Sequence, residues 1–117
     1  MRPLAERMVE HRRAVARALE RVDRLREIVS ANGGDLRPRD FADAQSELEN
    51  AAAGVARCAE GIHELGAIVK DPESGLVDFP ALRHGDEVLL CWQVGEAEIG
   101  YWHSLEDGFA GRRELPL

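Results

Sequence analysis

The chain has 117 residues, 44% of them hydrophobic and 32% charged, which suits one folded core and is too short for two independent ones. This composition argues against disorder, no apolar run approaches the ~20 residues of a membrane helix, and Arg2 and Arg7 are followed by no apolar leader segment. A formal net charge of -7 disfavours general nucleic-acid binding.

A single cytoplasmic domain is therefore expected, with residues 1–66, 67–103 and 104–117 as its parts, and with Cys58 and Cys91 as reduced thiols. The charge is uneven along it. Residues 1–30 carry eight arginines against five acids, whereas residues 67–117 carry four basic side chains against ten acidic ones. An arginine-rich segment next to an acidic one reads either as a nucleic-acid-facing helix or as two helices that complement each other. The second reading is preferred.

From Leu4 to Val29 two seven-residue series interleave, Met8, Val15, Val22, Val29 and Leu4, His11, Ala18, Leu25. Steps of four and three place them on one stripe of a long amphipathic helix. Its outer arginines have acidic neighbours at helical spacing, such as Glu10 with Arg13 and Glu20 with Arg24. Asn32-Gly33-Gly34 is the expected stop. A second helix is expected to start between Pro38 and Phe41, with Asp40 as an N-cap. Its series are Phe41, Leu48, Val55, Ile62 and Ala44, Ala51, Cys58, Leu65, so small residues permit close approach. The spacing predicts helices over 4–31 and 40–65 in an antiparallel hairpin. Cys58 and His11 lie on the seam, where a packed side chain is the simpler reading than a reactive thiol or a metal ligand.

After Gly66 the period falls to two and turn residues recur, the pattern of short antiparallel strands. Strands are predicted at Ala67–Lys70, Leu76–Phe79, Glu87–Gln93 and Glu98–Trp102, the last two as a hairpin around Gly95. Val88, Leu90, Trp92 and Val94 alternate with Leu89, Cys91 and Gln93, so the third strand should be central and covered on both faces. One cover is the helical hairpin; the other is the tail or a second subunit. The tail from Ser104 to Leu117 is expected to fold back on Leu105 and Phe109.

The stretches Gly75-Leu76-Val77-Asp78-Phe79-Pro80, Leu90-Cys91-Trp92, Gly95-Glu96, Trp102-His103 and Gly108-Phe109-Ala110-Gly111-Arg112 resemble the signature of a bacterial family, domain of unknown function 2203. The resemblance is strong from Glu64 onward and rests on pattern alone in the helical half, where Arg2-Pro3-Leu4 is similar to the middle of the family's first helix. Members often carry an additional N-terminal stretch, and tend to be shorter where this chain has Arg113-Glu114-Leu115. The resemblance implies a small cytoplasmic protein without an assigned activity.

Candidate ligand-binding residues are Trp92, Trp102, His103, Asp107 and Arg112. His103 follows the last predicted strand with Asp107 four residues on. An imidazole oriented by a carboxylate can act as a base, and Arg112 can hold an anion through two parallel hydrogen bonds. The alternative is that His103 and Arg112 fasten the tail to the sheet. A metal site would need His84, Cys91, His103 and Asp107 to converge without any paired CxxC or HxxxH unit, so no metal or cofactor is expected. Cys91, between Leu90 and Trp92, reads as core rather than nucleophile. The expected architecture is α+β: a long, coiled-coil-like antiparallel two-helix hairpin packed on a small antiparallel meander of three to four strands, as a homodimer. Function reads first as a non-catalytic interaction or scaffold module, with a protein partner and no membrane or nucleic acid. An anionic-ligand or hydrolytic site around His103, Asp107 and Arg112 is the alternative.

Overall fold

A computed structural model describes residues 1–32 and 38–117. Helix α1 (Arg2–Asn32) and helix α2 (Pro38–Glu64) run antiparallel along the heptad stripes, followed by five strands: β1 (Ile68–Asp71), β2 (Leu76–Arg83), β3 (Asp86–Trp92), β4 (Tyr101–Ser104) and β5 (Arg113–Glu114). The expected stop at Gly33-Gly34 lies outside the described residues. Pro3 and Pro38 both sit in first turns, where a missing N–H costs nothing. The helix is already regular at Asp40, which corrects its assignment as N-cap. Its carboxylate lies in the first turn, toward the positive end of the dipole.

Helix α2 ends in a Schellman motif. Gly66 takes a φ of +88°, its N–H donates to the His63 carbonyl at 2.9 Å and that of Ala67 to the Ile62 carbonyl at 3.3 Å. This turn drops Ala67, fully buried, directly onto the core and starts the sheet. The sheet is an antiparallel meander in the order β1-β2-β3-β4-β5, with β3 in the middle. It docks on the open end of the hairpin, where Ala5, Met8, Cys58 and Ile62 meet Ala67, Val77 and Trp92 in one buried cluster. Met8 and Ile62 are fully buried, each such side chain contributing about 1.5–3 kcal/mol. Away from this contact the hairpin projects, and the molecule measures 65 × 25 × 22 Å.

The meander has five strands rather than the expected three to four, and three further expectations for this half are corrected. β2 continues past Phe79 through Pro80 to Arg83; β1 stops pairing with it at Ile68↔Asp78, so Pro80 lies on an edge on that side and forfeits no ladder bond there. A two-residue turn, His84-Gly85, then joins β2 to β3, both residues at positive φ as a type I′ turn requires. β4 begins only at Tyr101, because Gln93–Glu96 curls back on itself: the Gln93 N–H donates to the Glu96 carboxylate and the Glu96 N–H to the Gln93 carbonyl. The tail does not anchor through Leu105 and Phe109, which are 56% and 46% exposed. It is held by the β5 pairing Tyr101↔Glu114 and Trp102↔Arg113, and by the Leu115 N–H donating to the Gly100 carbonyl.

Gly54 of α2 faces His11 of α1. A Cβ on Gly54 would lie 2.5 Å from the imidazole Cγ, so the glycine makes room for the ring and His11 is a packing residue. Gly54→Ala is expected to lower stability by about 1–3 kcal/mol through overpacking. Adding His11→Ala should recover most of that loss in chemical denaturation.

Candidate functional site

Cross-strand register assembles a polar cluster on the face of the sheet opposite the helices. Asp78 of β2 pairs directly with Cys91 of β3, and His103 of β4 pairs with Leu89, one step along the same face. All three side chains are buried, and one ligand-type atom of each lies within 4.8 Å of the others. Val77, Phe79, Leu90 and Trp92 alternate with them toward the hairpin, as the two-residue period of a strand dictates.

The histidine's hydrogen bonds fix its chemistry. Its Nδ1 stands 2.8 Å from the Ser104 carbonyl, which can only accept, so Nδ1 carries the hydrogen. Nε2 then points its lone pair, or a second proton, at Asp78 Oδ2, 3.1 Å away. The other carboxylate oxygen, Asp78 Oδ1, is buried without a partner. Burial pushes the Cys91 thiol up to about 11; Arg112 opposes this, while Asp78 and Glu96 add to it. The thiol is thus protonated at neutral pH and inert as a nucleophile. A cavity of about 150 Å³ opens over the three side chains, lined by Lys70, Leu76, Leu89, Leu105 and Phe109.

Arg112 borders this cluster but is committed elsewhere. Its guanidinium donates to both Glu96 carboxylate oxygens at 2.6 and 2.8 Å and stacks on the rings of Tyr101 and Phe109, 4.0 and 4.6 Å from their centroids. Glu96 also accepts from the Gln93 N–H. One acid and one base therefore tie the β3–β4 loop to the tail, a partly buried charge-assisted pair that neutralises both.

The other candidates fall on different surfaces. Trp92 and Trp102 do share a face, since Trp102 pairs with Leu90, but it is the face turned away from the cluster. Trp92 is in the core, with its indole N–H donating to the Glu96 carbonyl at 3.0 Å. Trp102 is buried between the guanidinium groups of Arg83 and Arg113, at 4.8 and 5.3 Å. Asp107 is exposed, and its backbone N–H donates to Ser104 Oγ. His84 is exposed in the β2–β3 turn. The carboxylate that meets His103 is Asp78, and the carboxylate that meets Arg112 is Glu96. Both were missed from sequence. The available signal for Asp78 was an acid standing between Val77 and Phe79 in a strand otherwise apolar.

The family model of an uncharacterised conserved protein, DUF2203, matches residues 1–115. The chain belongs to that family. No curated protein and no solved structure matches it. Membership in DUF2203 brings a shared sequence pattern and no activity, so the chemistry of this DUF2203 chain is read from its own side chains.

The raised thiol has a measurable consequence. Because the folded state disfavours the thiolate, the Cys91 contribution to stability is complete below its ordinary value of 9.0 and is lost as pH rises toward about 11. Peptide-resolved iodoacetamide labelling should show Cys91 unreactive at pH 8 in the folded protein and reactive in urea. Rapid labelling of native Cys91 at pH 8 would contradict the buried thiol.

Proposed function

We propose that the chain is an interaction module that self-associates through the projecting half of its hairpin and serves as a scaffold. One observation carries this reading. The heptad residues Met8 and Ile62 are fully buried where the sheet covers them, whereas Val15, Val22, Val29, Phe41 and Leu48 of the same series are only half-buried. Two helices alone cannot close a seam of this width. Val22, Phe41 and Leu48 line an open groove of about 300 Å³ with Arg26 and Gln45, and Leu19 beside it is 45% exposed.

Charge selects a second copy as the occupant. Between residues 12 and 27, α1 carries six arginines against three acids, while from 40 to 49 α2 carries four acids and no base. A two-fold axis that lays α1 of one copy along α2 of the other pairs these opposite strips, as the Arg21–Glu47 ion pair already does within one chain. The projecting stretch of α1, residues 15–32, is about 27 Å long and with α2 about 20 Å wide, so it offers roughly 540 Å² per partner, the lower end of specific interfaces.

A second reading, a small-ligand site in the sheet, is favoured by the cavity above His103. There the imidazole works with Asp78 and Cys91 instead of Asp107 and Arg112.

Sedimentation velocity should give twice the chain mass at micromolar concentration. Leu19→Lys, at an exposed position, should leave the circular dichroism unchanged and weaken association at least about tenfold, the effect of placing a charge in an apolar interface. Val22→Asp should yield monomer. A compact monomer from micromolar to millimolar concentration would overturn the reading.

A further inference from the structure

We propose that Asp78, Cys91 and His103 form a three-ligand site for one divalent transition-metal ion of the zinc class, with a fourth position open to the cavity above them. This inference is independent of the hairpin reading and concerns the opposite end of the molecule.

The donor set comes first. One imidazole nitrogen, one sulfur and one carboxylate oxygen are the three protein ligand types that zinc accepts, at about 2.0–2.1, 2.3 and 2.0–2.2 Å. In a tetrahedron such bonds place the donors roughly 3.3–3.7 Å apart. The donors here lie within 4.8 Å of one another, and His103 Nε2 is already 3.1 Å from Asp78 Oδ2. The nitrogen–oxygen pair is thus near ligand spacing, and the sulfur must close by about 1 Å or less to join it. Each ligand comes from a different paired strand, a more rigid platform than a loop.

The histidine is oriented as a ligand. Metal-bound imidazoles usually donate their second ring N–H to a carbonyl or carboxylate, which fixes the tautomer and turns the free lone pair toward the ion. His103 does this with the Ser104 carbonyl at 2.8 Å. The position behind the histidine is filled by an acceptor, and the position in front of it is shared with an acid.

The carboxylate points the same way. Asp78 is 1% exposed, has one hydrogen-bonded oxygen and one buried oxygen with no partner. An ionised carboxyl removed from water costs several kcal/mol unless a cation or several donors compensate. The neighbouring cation, Arg112, is already taken by both oxygens of Glu96. Among the described residues the cluster holds an acid, a thiol and an imidazole whose ligand-type atoms lie within 4.8 Å of one another, and the unpartnered Asp78 oxygen leaves that carboxylate free to take an ion.

Coordination takes the sulfur as thiolate and needs the Nε2 lone pair free, so metal binding releases protons. The open position faces a cavity lined by Leu76, Leu89, Phe109 and Lys70. Three protein ligands and an open position distinguish such a centre from closed four-ligand structural sites.

The test uses the full chain, stripped with chelator and titrated with Zn²⁺ and with Co²⁺. The expected result is one ion per chain by native mass spectrometry, proton release on Zn²⁺ addition in a weakly buffered dye assay, and a near-ultraviolet thiolate-to-Co²⁺ charge-transfer band. Cys91→Ser, nearly the same in shape, should lose the band and weaken binding by about 100-fold or more, since even outer partners of a metal site are worth 10–100-fold. Cys58→Ser, in the hairpin core, should retain both. His103→Gln and Asp78→Asn should weaken binding while circular dichroism reports whether they fold. Absence of one-to-one binding in the folded wild-type chain would overturn the proposal. So would binding that survives unchanged in Cys91→Ser, which would place the ion on exposed side chains such as His63 or His84.

Discussion

The seating of Met8 and Ile62 on Val77 and Trp92 is the contact through which helices and sheet stabilise each other. Neither part has a core of its own: two helices enclose only a narrow seam, and a twisted meander needs one face covered. The Schellman turn at Gly66 makes the contact possible by ending α2 at Glu64 and bringing Ala67 into the core at the turn's exit. Gly75 repeats the principle at the β1–β2 turn. Its φ is +71°, and a Cβ there would lie 2.3 Å from Val94 and 2.9 Å from Val9, so the turn, the β3–β4 loop and α1 converge on the one residue without a side chain.

With one face of the sheet committed to the helices, the other must bury its side chains against the tail alone. The tail is short and its Leu105 and Phe109 are about half exposed, so polar pairing carries much of the contact. Arg112, partly buried, stacked on Tyr101 and Phe109 and paired with Glu96, joins tail, loop and sheet, next to the buried cluster of His103, Asp78 and Cys91. This arrangement accounts for the division of roles. The arginine-rich strip lies on the hairpin, and the thiol that burial pushes up lies under the tail.

The helical half was legible because a heptad pattern is written locally. Leu4 to Val29 and Phe41 to Leu65 state their own faces, and the antiparallel pairing follows from a short connection. The sheet was legible in kind, not in extent. Pro80 looked like a strand end because its tolerance depends on where β1 stops, a fact of the neighbouring strand. β5 has two residues and no pattern of its own; it exists because Gly100 and Tyr101 offer an open edge. The site was half legible. His103, Cys91 and Arg112 stood out by type, but their partners Asp78 and Glu96 are 25 and 16 residues distant in sequence. Proximity along the chain suggested Asp107 for His103, and register chose Asp78.

That choice by register bears on how the domain matures. Side chains alternate faces along a strand, so slipping β2 by a single residue against β3 would send Asp78 to the helix side and bring Val77 or Phe79 beside Cys91. The cluster is therefore a property of the completed meander, absent from any partly zipped or misaligned sheet. Whatever occupies it recognises only chains whose three central strands have found their proper alignment, and it shifts the balance between correctly and incorrectly paired forms as well as filling a cavity.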